Sequence, residues 1–440
     1  MKKLLLTSLV CAASLYAQDT KIDMSAGYNV IPAEKRTFDQ SQYIPDISVV
    51  MDASYVHRSK KSDDASHLEL SGISESLYGE HVHDDVSHAT YNAKDGFNLN
   101  YAELVLSSNV DPFFTMDAVF HFSRNGVAVE ELFFTSTALG NGLRLKGGKF
   151  LSNFGRINQQ HHHVWDFGDM PLVYEAFLGM HGINEVGAQL QWIAPTPLYM
   201  MAGFEVLQGE NEKMFGNQAL SYETSTGDTE EILGQKRAPS LFVGYLKTSF
   251  DMGDTTVLAG LSYAHGTSRI ADAHDHGGGD QHLFGGTSKL YGADLTLKHA
   301  FDSYSFLTWQ SEWLSRDMDG REYDVVSGAL ADSESLRKQQ TGLYSQLVYA
   351  IDQNYRVGGR FDYLCQNDVK AGGDKEDLPN NFSRYSVMAE YHTSEFARFR
   401  LQYNYDKGLI DHAHNEEKTN LHTIMLQANI SIGAHGAHSF

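Results

Sequence analysis

The run Tyr355-Arg-Val-Gly-Gly-Arg-Phe-Asp-Tyr363 alternates. Tyr355, Val357, Phe361 and Tyr363 fall on one side of an extended chain, and Arg356, Arg360 and Asp362 on the other. Side chains of a strand point alternately to its two faces, so this run predicts a strand with one apolar and one charged face. The pattern recurs. Phe399, Leu401, Tyr403 and Tyr405 oppose Arg398, Arg400, Gln402 and Asn404; Tyr385, Val387, Ala389 and Tyr391 oppose Ser386, Glu390 and His392; Tyr291, Ala293, Leu295 and Leu297 oppose Asp294, Thr296 and Lys298. Read this way, the chain predicts strands over 45–57, 97–108, 112–122, 127–137, 143–151, 185–194, 197–207, 239–250, 254–265, 287–299, 303–315, 339–350, 353–365, 382–393, 395–405 and 421–440.

The spacing between these strands separates a barrel from a sandwich. Tight links such as Asn109-Val-Asp111, Asp251-Met-Gly-Asp254 and Ile351-Asp-Gln353 alternate with long polar stretches over 58–96, 152–184, 208–238, 266–286, 316–338, 366–381 and 406–420. Short turns at one end and long loops at the other are the habit of outer-membrane barrels. A soluble sandwich has no reason to sort its loops. The expected fold is therefore all-β: a transmembrane antiparallel barrel of about sixteen strands, porin-like, wide enough to hold an aqueous channel. Ile424, Leu426, Ala428, Ile430 and Ile432 keep one parity toward Phe440, as an outer-membrane insertion signal read by the barrel-insertion machinery does.

Composition narrows the setting. Lys2 and Lys3, an apolar stretch from Leu4 to Leu15 and the small Ala17 predict a secretory signal over 1–17. A short periplasmic segment, 18–44, then leads into a barrel over 45–440, whose partners are outer-membrane lipid and lipopolysaccharide. The signal holds two of the 34 basic residues, so its removal takes the formal charge from −22 to −24. That argues against nucleic acid. Of the two cysteines only Cys365 follows the signal, so a disulfide framework is excluded. No apolar run of about 18 residues predicts a membrane helix.

The stretch 152–184, the third loop on its side once the short 123–126 link is counted, is expected to fold inward and narrow the channel. It carries Arg156-Ile-Asn-Gln-Gln-His-His-His-Val-Trp-Asp-Phe-Gly-Asp-Met-Pro171. Its candidate constriction residues are Arg156, His161, His162, His163, Trp165, Asp166 and Asp169. The preceding strand and its "GKF…FG" ending resemble the strand feeding the constriction loop of phosphate-selective-type porins. A closer likeness is carried by Pro45-Asp-Ile-Ser-Val-Val, by Ser107-Ser-Asn-Val-Asp-Pro-Phe-Phe114, by VEELFFTSTALGNGLRLKGGKFLSNFGRINQQHHHVWDFGDMPLVYEAFLG over 129–179, by Gly187-Ala-Gln-Leu-Gln-Trp-Ile-Ala-Pro195 and by Phe204-Glu-Val-Leu-Gln-Gly209. Together these resemble the zinc-regulated TonB-dependent outer-membrane receptor family. The resemblance implies expression and uptake linked to zinc. A TonB-dependent transporter fills its lumen with a separate plug domain. Residues 18–44 leave no room for one, so the expected member is porin-like.

The candidate pore-lining residues are Arg144, Lys146, Lys149, Asp294, Lys298, Glu312, Arg356, Arg360, Asp362, Glu390, Arg398 and Arg400. Their mixture of signs predicts a transverse field or ion pairs between strands. Candidate metal ligands are His81, His83, His161, His163, His274, His276 and His282. Imidazole and carboxylate without thiolate suit zinc, copper, nickel or iron. Consecutive histidines in an extended chain point alternately, so at most two of His161, His162 and His163 share an ion. No bound cofactor is required; weakly held Zn2+ or another divalent metal suits conduction, since an ion must enter and leave. Solvated loop histidines, or histidines that only pack the loop on the wall, are the plainer alternative.

The expected function is a channel for small hydrophilic solutes, linked to uptake of zinc or another divalent metal. The alternatives are a general or anion-preferring porin, and a non-conducting surface metal-binding or adhesion barrel. No nucleophile elbow or other catalytic arrangement stands out, so an enzyme is not expected. Porin analogy admits a homotrimer.

Overall fold

The alternating segments pair edge to edge until the last meets the first. A computed structural model of the chain describes residues 45–74, 77, 91–124, 126–211, 213–272, 281–411 and 417–433. The expected signal at 1–17, the segment 18–44 and Phe440 lie outside the described residues, as do His81, His83, His274 and His276.

Sixteen strands form the wall: β1 (Asp46–Arg58), β2 (Gly96–Asn109), β3 (Phe114–Ser123), β4 (Gly126–Ser136), β5 (Leu143–Leu151), β6 (Asn184–Ile193), β7 (Tyr199–Leu207), β8 (Leu241–Met252), β9 (Thr255–Asp272), β10 (Gln281–Ala300), β11 (Phe306–Val326), β12 (Ala329–Ala350), β13 (Tyr355–Ala371), β14 (Phe382–Ser394), β15 (Ala397–Asp411) and β16 (Glu417–Gly433). Each pairs antiparallel with its chain neighbours, and β1 pairs with β16 from Ser48↔Gly433 to Arg58↔Thr423. Closure is what lipid demands, because an open edge leaves backbone groups unpaired at roughly several kcal/mol each. The outward parity is apolar, with Ile424, Leu426, Ile430 and Ile432 exposed while Thr423 and Gln427 are buried. Aromatic pairs Phe301–Tyr349 and Tyr355–Tyr391 stand at the turn end. This is an outer-membrane barrel.

The wall is uneven in height. β3 to β7 have nine to eleven residues, whereas β9 to β13 have 17 to 22. The stretch 316–338, expected as a loop, is instead the top of the β11–β12 hairpin, turned by Ser327 and Gly328 at φ 51° and 74°. Two central residues of positive φ suit the right-handed twist of a tight hairpin. The apolar alternation stops there because these strands rise above the lipid. Their outer face is wet, and polar pairs such as Arg337–Asp317 replace the lipid-facing residues, while Met318 and Leu336 stay buried on the inner face. The same holds for β9, β10 and β13, which run past their expected ends.

A hydrophobic core fills the barrel. Residues 152–183, between β5 and β6, run inside it and form a plug. Plug residues Phe154, Ile157, Trp165, Leu172, Val173, Tyr174 and Phe177 are buried against wall residues Phe150, Leu290, Leu314, Tyr344 and Leu364. The first long loop adds Ala65, Leu68, Leu70 and Ile73 to this core; it contains α1 (Ser62–Ala65). Arg316 on β11 donates to the Ile73 carbonyl, and Gln340 on β12 to that of Gly72, so this loop is tied to the tall wall.

Candidate functional site

The plug enters the lumen because wall carboxylates take up its backbone N–H groups. Inside a barrel those donors would otherwise be buried unpaired. Glu205 accepts from the Asn153 N–H at 3.0 Å. Glu312 accepts from the Arg156 and Ile157 N–H groups at 2.7 and 2.9 Å, and from the Tyr174 and Tyr344 hydroxyls at 2.7 and 2.5 Å. The turn between these anchors is Gly155, at φ 61°, where a Cβ would strike the Tyr174 hydroxyl and Glu312. The plug's helix, α2 (Leu172–Leu178), buries six of its seven residues. Its first N–H donates to Asp362 at 2.8 Å. Glu312 and Asp362 thus face the lumen, but as anchors for the plug.

The tip of the plug, 156–170, is clamped between walls of opposite character. Toward β1–β4 it meets acid. Glu103 on β2 and His121 on β3 are register partners, with Nε2 of His121 3.0 Å from Oε2 of Glu103. On β4 the register shifts opposite Val119 and Phe120, and Glu130 is the extra residue. A bulge re-aims side chains; here neighbouring Glu130 and Glu131 are both buried. His161 sets Nε2 2.9 Å from Glu131 and Nδ1 3.5 Å from Glu103. His163 reaches the same Glu103 oxygen with Nδ1 at 3.4 Å. His162 turns away, stacked on Tyr91 at 4.2 Å, with Nδ1 3.4 Å from Asp52. Burial alone would favour neutral imidazole at His161, but Glu103 and Glu131 outweigh it and hold that imidazole well above its ordinary pKa.

Toward β13–β15 the tip meets arginine. Asp169 accepts from Arg360 and Arg384, each at 2.9 Å, and from Asn404 at 3.1 Å. Burial opposes its ionisation, but the two arginines outweigh burial and lower its pKa. Each arginine also has a carboxylate on the wall: Asp362 at 2.8 Å for Arg360, Asp406 at 2.6 Å for Arg384. Arg398 and Arg400 donate to the His163 and Trp165 carbonyls at 2.7 and 2.6 Å and pair with Glu390. Asp166 accepts from Gln346 at 3.0 Å, and burial raises its pKa. A cavity of about 60 Å3 remains beside the tip, lined by Arg58, His162, Asp169, Glu175 and Arg384 among others. It has room for a handful of waters.

The other candidate residues are distributed as follows. Lys146 faces inward over the Phe133 ring at 4.2 Å. Lys298 and Arg356 lie over Phe306. Asp294 is buried toward the lumen, and Arg144 is exposed near the turn end. Lys149 stands on the opposite face from the one expected. Its register partners Leu132 and Val186 are lipid-facing, and its ammonium reaches back to the Val129 carbonyl at 2.7 Å. The register runs unbroken from Arg144 to Lys149, so plain alternation from Arg144 and Lys146 already assigns Lys149 to the lipid side. His282 sits on the exposed β10 rim, 2.7 Å from Asp324, apart from His161 and His163. Sequence reasoning missed Asp52, Glu103, His121, Glu130, Glu131 and Arg384. The available signal was an acid and a histidine, Glu103 and His121, at lumen parity and opposite one another on neighbouring strands.

No protein-family model matches the chain. A protein of Aquifex aeolicus (strain VF5), described as an uncharacterized protein, is 41% identical over 424 residues, spanning 96% of this chain and 84% of that one. Among solved structures, the anion-selective porin from Comamonas acidovorans aligns with a TM-score of 0.51 at 10% identity, over 88% of this chain and 99% of that one. At that identity the likeness is one of fold.

Proposed function

The chain belongs to the same family as the Aquifex aeolicus protein, and since that kinship brings no activity with it, we propose a function from the site: a porin-like outer-membrane channel for small hydrophilic solutes, regulated by its own third loop and linked to uptake of a divalent metal, zinc foremost. The observation that carries this reading is the seating of the plug tip. Beside its buried apolar residues it is held by hydrogen bonds and ion pairs that water can replace, between a histidine–carboxylate wall that suits a divalent cation and an arginine wall. The sequence resemblance to zinc-regulated receptors supports the metal. By porin analogy the barrel works as a homotrimer.

The filled lumen favours a second reading, a surface barrel that binds metal and does not conduct. Single-channel recording of the refolded protein in planar bilayers separates the two. Open steps that zinc blocks from the loop side support the channel, and their absence from a folded barrel supports the binder. Deletion that slows growth only in zinc-depleted medium would tie the channel to zinc; equal growth with and without zinc would leave a general porin.

A further inference from the structure

We propose that Glu103, His121, His161 and His163 form a binding site for one divalent transition-metal ion, shared between wall and plug, so that the bound ion pins the plug tip to the short side of the barrel. The inference deepens the metal-linked reading above and rests on it for its biological sense. Its chemistry stands on the constellation alone.

One oxygen of Glu103 is the focus. Nε2 of His121 lies 3.0 Å from it, Nδ1 of His163 3.4 Å and Nδ1 of His161 3.5 Å. Ligand atoms of Glu103, His121 and His161 all lie within 4.8 Å of one another. Donors about 2.0–2.2 Å from a tetrahedral ion stand roughly 3.3 Å apart, so small side-chain shifts suffice for these three, and His163, already beside the Glu103 oxygen, would swing in to complete the set. Three of the four side chains are almost wholly buried, and His161 is 16% exposed, which leaves it as the side open to an incoming ion.

The outer nitrogens make the stronger argument. A metal-bound histidine usually gives its second ring N–H to a carboxylate, which fixes the tautomer and orients the ring. Here His161 turns Nε2 to Glu131 at 2.9 Å, and His121 turns Nδ1 to Glu130 at 3.7 Å. Both carboxylates come from the β4 bulge, which places neighbouring residues on the same side of a strand. Three buried carboxylates around the imidazoles also favour a doubly charged guest. Imidazole nitrogens with one oxygen select the zinc, cobalt, nickel or iron(II) class over calcium and magnesium, which take oxygen cages.

The topology gives the ion a consequence. Glu103 and His121 belong to β2 and β3, whereas His161 and His163 belong to the plug. An ion bound by all four crosslinks the loop to the wall.

The test uses the full refolded chain in detergent micelles, with Co2+ as the probe. The expected result is one Co2+ per chain with the visible absorption of a tetrahedral site, displaced by Zn2+. His121→Ala and Glu103→Gln should each weaken binding by about 100-fold or more, and Glu131→Gln by about 10- to 100-fold. His299→Ala, at the far end of the barrel, should bind as wild type. Zn2+ should slow amide hydrogen exchange across 156–170 in wild type and not in His121→Ala. No Co2+ band from a barrel shown to be folded by its heat-modifiable mobility overturns the site, as does wild-type affinity in both His121→Ala and Glu103→Gln. Binding without slowed exchange overturns the clamp. Conductance plays no part in this test, so a barrel that binds but never conducts refutes the channel and keeps the site, and one that conducts without binding does the reverse.

Discussion

Asp169→Asn removes the charge that fastens the plug tip to the arginine wall while keeping the side chain's size. Asp169 accepts one hydrogen bond each from Arg360 and Arg384 at 2.9 Å, and the arginine side chains are 1% and 2% exposed. A hydrogen bond to a charged group contributes about 1.5–3 kcal/mol. The arginines keep Asp362 and Asp406 as partners on the wall, so the lower figure applies to each, giving about 3 kcal/mol for the pair. An asparagine amide turned toward the guanidinium groups would add repulsion. At about 1.4 kcal/mol per factor of ten, the unseated fraction of the tip should rise on the order of 100-fold. The assay is single-channel recording beside hydrogen exchange over 156–170, with heat-modifiable mobility reporting the barrel. Because Asp169 belongs to the plug, the barrel should stay folded. An unchanged open probability together with unchanged exchange would refute the view that this ion pair seats the tip.

Three further outcomes follow from the same geometry. Burial pushes the Glu175 carboxyl on α2 up to about 7 despite Arg384 at 3.4 Å. The seated helix therefore holds a proton that it would release above about pH 4.5 if the whole plug left, and its hold should weaken by roughly 3 kcal/mol as pH rises from about 4.5 to about 7 and then level off; Glu175→Gln should flatten this pH dependence in the exchange of Tyr174 to Leu178, corrected for intrinsic rates, and an equally steep profile in that variant would count against it. Phe177→Ala empties a fully buried position beneath Arg316 and should cost about 3–5 kcal/mol, seen as a lower midpoint of heat modification. Lys149→Leu should leave ion selectivity unchanged while Lys146→Gln shifts it, since only Lys146 faces the lumen; a selectivity change in the Lys149 variant would contradict its lipid-side position.

The barrel was legible in the sequence because a lipid-facing strand must alternate, and the runs around Tyr355 and Phe399 do. Where strands rise out of lipid the constraint lapses. Residues 316–338 therefore read as a loop although they pair as regularly as any other segment. The inward third loop was legible from its place after the fifth strand. Its partners were not, because what joins His161 to Glu131 or Asp169 to Arg384 is barrel closure, which brings together residues 30 to 215 positions apart. A local backbone irregularity did further damage. One bulge at Glu130 turned two carboxylates inward where alternation allows one, whereas Lys149 follows strict alternation from Lys146 and was misplaced only because its charge was weighed above its parity.

The two parts of the plug are held by different forces, and that difference decides which part can move. Helix α2 buries six side chains, among them Leu172, Val173, Phe177 and Leu178. At about 1.5–3 kcal/mol for each large apolar side chain, lifting the helix into water costs roughly as much as unfolding a small domain. The tip also buries Ile157, Trp165, Phe167 and Met170, but these are spread over a longer stretch, and the rest of its hold is polar contacts, each worth a net of about 0.5–1.5 kcal/mol, or somewhat more where charged, because water replaces them on release. Opening should therefore swing 156–170 about its anchors at Gly155 and Pro171 and leave α2 in place. Hydrogen exchange resolved along the loop tests this directly. Amides of the tip should exchange well before those of Tyr174 to Leu178, and Asp169→Asn should widen the gap. Helix and tip exchanging together, at one rate in both proteins, would mean that the plug leaves as a unit, and the polar clamp would then have no part in gating.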